Sequence, residues 1–454
     1  MTDVPVTDVP VTGVTVVVRG GSVVGPGGLR RADVALAGGV VVALDESIDP
    51  PAGAVVLDAR GCLVGPGLVD LHTHLRQPGR EEAETVESGA RAAALGGYTA
   101  VVAMPNTEPA IDSAGVARDV LALGRGAVAE VAVSGAITVG RAGQALAPMG
   151  ELAALGVQIF TDDGAGVQDG ALMRRALDYA KGLGITLAQH CEDNCLADGG
   201  AMPEGCWSSR LGLPGIPAAA EESMVARDIQ LVRLTGAPVH FLHLSTAGSV
   251  ELVRAAKAEG LPVTAEAAPH HMLLTHAEVA GYDPVFKVNP PLRTPADVLA
   301  LRAALAAGVL DAVATDHAPH PQEAKEEPFE LAPPGMTGLE TALSVAYTEL
   351  VCGRHLTSGT DGPVLEPAAL FALFTTAPAH IAGLDLTSGQ GGPLVVGSPA
   401  HLCVFDPTAT WTVAGEKSHS KSRNTPFAGR TLTGRVRHTV YRGEIVVHDA
   451  MVQR

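Results

Sequence analysis

Aromatic residues are scarce in this chain: Phe, Trp and Tyr make up 3% of its 454 positions, whereas 46% are hydrophobic. A core of that composition has to be assembled from Ala, Val and Leu, which excludes large aromatic clusters and suits short aliphatic strands and alanine-rich helices. Basic residues are few as well, 31 Lys plus Arg against 49 Asp plus Glu, for a formal charge of -18. That balance excludes a nucleic-acid or anionic-membrane surface, which needs clustered cations. It also means that an anionic substrate must be met by a local positive group. No uncharged apolar run approaches the roughly 18 residues of a membrane-spanning helix. The opening "MTDVPVTDVPVTG" carries acids and prolines where a secretory signal has a basic and then an apolar region, so a cytoplasmic protein is expected, with "TDVPVTDVPV" as a frayed tail. Six cysteines (Cys62, Cys191, Cys195, Cys206, Cys352 and Cys403) then read as reduced thiols. Cys191 and Cys195, with no second pair to match them, read as ordinary thiols rather than zinc ligands.

What the chain does contain is a change of texture along its length. "VTVVVRGGSVVG", "ADVALAGGVVVAL" and "GAVVLDARGCLV" near the start, and "PLVVGSPAHLCVFD", "WTVAG" and "GRVRHTVYRGEIVV" near the end, read as Val-rich strands punctuated by Gly and Pro. Between these flanks, strand-like runs alternate with helix-period segments. The strand runs are "GLVDLHTH", "TAVVAMPN", "VAVSGAIT", "GVQIFTDD", "ITLAQHCED", "PVHFLHLST", "PVTAEAAPHH" and "DAVATDHAPH", and eight closes a parallel (β/α)8 barrel of the TIM type. "VESGARAAALGG", "DGALMRRALDYAKGLG", "EESMVARDIQLVRLTG", "GSVELVRAAKAEG" and "TPADVLALRAALAAG" supply helices, several ending in Gly. An open doubly wound sheet would use the same alternation. The barrel is favoured because nearly every strand run finishes in chemically capable side chains, and a barrel brings all those ends to one face.

Those ends are His72 and His74 on the first run, Asn106 on the second, Asp162 and Asp163 on the fourth, His190 on the fifth and His243 on the sixth. His270 and His271 end the seventh, and Asp316, His317 and His320 the eighth. Taken singly, His190 or His243 is more often a hydrogen-bonded core histidine, Asp316 a helix cap, and Asp162 or Asp163 a turn residue. Jointly they form a metal-ligand inventory of imidazoles and carboxylates. His72 and His74 alternate along a strand and so point the same way, which lets both serve one ion. Six ligands exceed the three that a single catalytic zinc takes from protein and suit two ions sharing a bridge, a site for hydrolysis or its reverse. Either aspartate of "TDDG" could be that bridge.

The motifs "GLVDLHTHLRQPG", "AMPNT", "FTDDG", "HCEDN", "HLSTAGSV", "AAPHHMLLT", "KVNPPLRTPADV" and "ATDHAPH" occur in order. With them the chain, from about residue 13 to 447, resembles the amidohydrolase superfamily and within it the dihydroorotases of the long bacterial type. The resemblance implies an α/β fold: a barrel over 66–390 and a small β-sandwich built from both chain ends, 1–65 and 391–454. It implies two Zn2+ ions, one held by His72, His74, Asp163 and Asp316, the other by Asp163, His190 and His243, with Asp163 as the bridge. Many relatives use a carboxylated lysine there, but none of Lys181, Lys257, Lys287, Lys325, Lys417 and Lys421 ends the fourth strand run.

The implied reaction is the reversible cyclisation of N-carbamoyl-L-aspartate to L-dihydroorotate in pyrimidine biosynthesis, with zinc-activated hydroxide and Asp316 as general acid and base. The substrate, a small anion, would be held by His74, Arg76, Asn106, Asn289 and His320 and by the backbone at Pro334 and Gly335. Arg76 is then the local cation that an acidic chain requires. Individually Arg76 would read as a solvated arginine, Asn106 as a turn residue and Asn289 as a pre-proline loop position. Gln77 departs from the Glu common in relatives, and "HPQEAKEEPFELAPPGMTG" reads as a loop over the site. The rival readings are a hydantoinase- or allantoinase-type amidohydrolase, or a non-catalytic partner of aspartate carbamoyltransferase. Arg76 with Asp163 argues against the former and the intact ligand set against the latter. Homo-oligomers, or a complex of the active enzyme with that transferase, fit the resemblance equally.

Overall fold

The structure, a computed structural model, describes residues 15–353 and 364–454; the duplicated tail "TDVPVTDVPV" lies outside them. Eight strands fall on the eight predicted runs: Leu68–Thr73, Tyr98–Ala103, Glu130–Val133, Ile159–Phe160, Thr186–Gln189, Val239–Phe241, Val263–Ala267 and Ala312–Val313. Each hydrogen-bonded pair of neighbours is parallel. They form ladders of three and five strands. Single parallel bridges, Gly135 to Phe160 and Thr73 to His317, join the two ladders at both edges, so the ring closes. At the first seam a Cβ on residue 135 would lie 2.6 Å from the Phe160 ring, which is why the third strand run carries a glycine there.

Between the strands run the predicted helices, among them Val86–Leu95, Gly170–Leu183, Ala219–Thr235, Ala247–Ala258 and Pro295–Ala306. All but Ala219–Thr235 start on a side-chain cap: Thr85 with Ser88, Asp169 on the amides of Ala171 and Leu172, Thr246 on Ser249, and Thr294 with Asp297 ahead of Pro295. Gly184 ends the second of these in the left-handed region, at φ 69°. Val69, Ala100, Val102, Ile159, Ala188 and Ala312 pack as one cluster. They come from strands that are not all neighbours, and such strands meet only through the barrel interior. The low aromatic content is spent here, because a closed eight-stranded ring has room for small branched chains.

Strands from the two ends of the chain form one nine-stranded sheet. Leu63–Pro66 pairs antiparallel with Leu402–Thr412, setting Val64 opposite Val404. The sheet curls until Val40 bridges Pro399, around a core that includes Val18, Val34, Leu36, Leu402 and Val440. Between Leu402–Thr412 and Thr431–Tyr441 the chain makes an excursion, 413–430, back to the barrel mouth. No helix among the described residues is long and apolar enough to cross a membrane.

Candidate metal centre and substrate pocket

Three residues at or just beyond the strand ends carry strained backbone. Arg76, His243 and Asp316 have φ of 58°, 28° and 47°, values that side chains other than glycine rarely adopt. Such conformations persist where the surrounding structure over-determines them, which is common at functional sites. Here the amide of His74 donates to the His317 carbonyl at 2.9 Å, tying the first strand's tail to the eighth's.

Asp163 stands at the centre. Its Oδ1 lies 3.4 Å from His72 Nε2 and 3.5 Å from both His190 Nδ1 and His243 Nε2. Its Oδ2 lies 3.5 Å from His74 Nε2. Asp316 Oδ1 is 3.3 Å from His74 Nε2 and 3.5 Å from His72 Nε2. Two three-residue groups, His72–His74–Asp163 and Asp163–His190–His243, are each compact enough to hold an ion and share Asp163. The adjacent Asp162 is used differently. Its Oδ1 accepts the amides of Ile137 and Thr138 at 2.9 and 3.0 Å, and its Oδ2 accepts the Thr138 hydroxyl. It pins the third strand's tail to the fourth and offers the cluster nothing.

The donor set fits a divalent cation. His72 Nδ1 faces Glu266 Oε1 at 3.2 Å and His74 Nδ1 faces Asn106 Oδ1 at 2.8 Å, so the partner of each imidazole places the proton on Nδ1. In that tautomer both rings turn a bare Nε2 toward carboxylate oxygens, lone pair against lone pair, an arrangement that a cation between them would relieve. His72 Nε2 is buried without a hydrogen-bond partner. Separations of 3.3–3.5 Å between donors match a tetrahedron whose ligand bonds are about 2.1 Å. Burial, then the Arg76 charge, pushes His74 down to about 4, which suits a neutral ligand.

Beside the candidate ligands, Asn106 links His74 to Asp163, its Nδ2 donating to Asp163 Oδ2 at 3.1 Å. Arg76, 7% exposed, donates Nε to the Pro319 carbonyl at 3.2 Å. Among the described residues its two Nη atoms meet no hydrogen-bond acceptor. His320 donates Nε2 to the Pro334 carbonyl at 2.9 Å, and its buried Nδ1 has no partner. Burial, then the nearby Arg76 charge, pushes His320 down to about 2. Gly335 lies against it with φ 145°, and a Cβ there would come within 2.8 Å of His320 Nε2. Asn289 stands farther from the cluster, its Nδ2 on Glu192 Oε1 at 3.1 Å. Gln77 faces the other way, its Oε1 accepting the Val86 amide at the start of the first helix. The loop after the eighth strand is pinned by Lys325, which donates to the carbonyls of Pro284, Lys287 and Pro333.

Several residues escape sequence reasoning. Glu266, fully buried, accepts from His72 Nδ1 and from His240 Nε2 at 3.0 Å. Its signal is an acid inside the apolar strand run "PVTAEAA". Glu84 accepts from His317 Nε2 at 3.2 Å and from Ser420, and Arg141 donates to the Asp163 carbonyl at 2.7 Å. These contacts span 22 to 336 residues of sequence, and no local pattern announces them.

The family model for "Dihydro-orotase-like" proteins matches residues 61–249, the segment that carries His72, His74, Asp163, His190 and His243. A dihydroorotase of Pelotomaculum thermopropionicum is 46% identical, covering 96% of this chain and 99% of the relative. One of Mycobacterium tuberculosis is 47% identical, covering 97% and 100%. Among solved structures, an L-hydantoinase (dihydropyrimidinase) from Arthrobacter aurescens superposes with TM-score 0.86 at 24% identity, covering 97% of this chain and 98% of that one, and shares the fold. A dihydropyrimidinase from Brevibacillus agri superposes with TM-score 0.80 at 25% identity, over 96% and 95%. With five of the six candidate ligands inside the matched segment and curated relatives similar over almost their full length, the chain belongs to the dihydroorotase family.

Proposed function

We propose that this chain catalyses the reversible cyclisation of N-carbamoyl-L-aspartate to L-dihydroorotate as a metal-dependent cyclic amidohydrolase. The observation that carries the substrate is Arg76. A buried guanidinium whose Nη atoms meet no acceptor among the described residues is costly unless an anion completes it, and a carboxylate matches its two parallel N–H groups. His320 stands beside it with an unpartnered Nδ1, where a bound carboxylate would hold a proton. Asn289 and the backbone of Pro334 and Gly335 complete the pocket in this reading, and His74 and Asn106 reach substrate from the cluster side.

Two zinc ions suit the donor set, one on His72, His74, Asp163 and Asp316, the other on Asp163, His190 and His243. When bound, such ions polarise a carbonyl oxygen and lower the pKa of water. Asp316 takes up the proton that the attacking water loses as its oxygen bonds to the ring amide carbon, and returns it to the leaving nitrogen as the C–N bond breaks; in the biosynthetic direction the transfers run in reverse. Asp163 stays ionised throughout. We assign the barrel to 66–390 and the β-unit to 1–65 with 391–454, and place the enzyme in the cytoplasm. Homo-oligomers, or a complex with aspartate carbamoyltransferase, would be read from its elution volume alone and mixed with that transferase.

A side-by-side assay on dihydroorotate, dihydrouracil, hydantoin and allantoin, with metal content measured on the same sample, tests this reading. Dihydroorotate should turn over fastest, with two zinc equivalents bound. Faster opening of dihydrouracil or allantoin, or a folded protein without metal or turnover, would overturn it.

A further inference from the structure

We propose that Asn424, from the C-terminal excursion, is a positioning residue for the substrate-carboxylate side of the site, holding in register the two backbone segments that carry His320 and Gly335. The proposal rests on the reading of His320, Pro334 and Gly335 as substrate contacts. Asn424 is 5% exposed. Its Oδ1 accepts the His320 amide at 3.2 Å, and its Nδ2 donates to the carbonyls of Ala318 at 3.0 Å and Gly335 at 3.1 Å. Its own carbonyl accepts the Thr337 amide at 3.1 Å. One side chain thus spends both its donors and one acceptor on the tail of the eighth strand and on the return of the loop that follows it.

The two segments also bond to each other, the Gly338 amide donating to His317 Nδ1 at 3.1 Å. Ala318 N donates to the Met336 carbonyl at 2.7 Å, and His320 Nε2 to Pro334 at 2.9 Å. The excursion has anchors of its own: Ser422 donates to the Ala83 carbonyl at 2.8 Å and Ser420 to Glu84, while the His419 amide donates to Glu340 Oε1 at 2.9 Å. Asn424 therefore refers the loop to the barrel wall. Loss of its bonds unties the His320 amide from the Gly335 carbonyl and loosens the register of the two segments, while His72, His74, Asp163, His190, His243 and Asp316 keep their places. An amide is required, since an aspartate of the same shape would still accept the His320 amide but would set a negative oxygen against two carbonyls.

The test is steady-state kinetics on dihydroorotate for Asn424→Asp, Asn424→Ala and His320→Ala, with zinc content and thermal unfolding measured on the same preparations. For both Asn424 variants KM should rise about tenfold, with kcat within about threefold of the parent and zinc content unchanged. If Asn424→Asp does not fold, Asn424→Ser, which keeps an acceptor for the His320 amide, is read in its place. A raised KM for His320→Ala with parental KM for the Asn424 variants would overturn the proposal. So would a lowered melting temperature with unchanged KM, which marks a purely structural role. A parental KM for His320→Ala would show instead that the pocket reading has failed, and the proposal falls with it.

Discussion

His72 and Glu266 stand 194 residues apart in sequence, yet Nδ1 of one lies 3.2 Å from Oε1 of the other, and both are fully buried. The carboxylate fixes the imidazole tautomer and orientation, so that Nε2 is the atom turned toward Asp163 and Asp316. Burial opposes ionisation of Glu266, but hydrogen bonds from His240 and His72 hold its carboxyl down at about 2. Glu266→Gln should therefore weaken metal affinity by about 10- to 100-fold, read by competition with a chromogenic chelator. Affinity within twofold of the parent would remove Glu266 from the support of the site.

Asp162 and Asp163 should separate cleanly. Asp163→Ala is expected to lose bound metal and turnover while the metal-free protein melts at the parental temperature. Asp162→Ala is expected to keep its metal but lose about 2–3 kcal/mol of stability, because two buried amides and a hydroxyl are left unpaired. The opposite pattern in metal analysis and thermal unfolding would reverse the assignment.

Asp316 is the proposed proton carrier. Asp316→Asn keeps the shape but cannot cycle a proton, and kcat should fall by about 10²–10⁴-fold with the fold intact. Substantial residual turnover in a metal-loaded sample would remove Asp316 from that role.

The Glu84–His317 pair predicts a pH signature. Burial of Glu84 opposes its ionisation, and His317, Ser420 and Ser88 outweigh that cost, leaving its carboxyl below the ordinary value of 4.5. A group whose folded pKa is depressed stabilises the fold fully above its unfolded pKa and loses that contribution as pH falls through the folded pKa. With metal removed from both proteins, the gap in melting temperature between parent and Glu84→Gln should be widest near pH 6 and shrink toward pH 3. A gap independent of pH would show that the Glu84 charge contributes nothing.

Much of the barrel is legible in the chain because each strand and helix is announced by a local pattern. The run "PVHFLHLST" reads as a strand by its β-branched and aromatic residues, and "TPADVLALRAALAAG" announces its own cap, first-turn proline and closing glycine. The ligands are legible for the same reason: a barrel delivers every strand end to one face, so their order in sequence already implies their convergence. Arg76 is legible only through the family motif that contains it.

Other features depend on contacts that no local pattern encodes. "TDDG" presents two identical carboxylates, and only the turn that aims Asp162 at the amides of Ile137 and Thr138 leaves Asp163 to face four imidazoles. Glu266, Glu84 and Asn424 acquire their roles from neighbours brought close by folding. By itself the sequence determined the alternation of strand and helix, the residue types at each strand end and hence a metal-dependent chemistry, since these follow from short-range periodicity and capping. Tertiary structure alone decided which aspartate is shared, which nitrogen of each histidine faces the cluster and how the C-terminal excursion braces the pocket. Hydrogen-bond partners that are distant in sequence settle each of these.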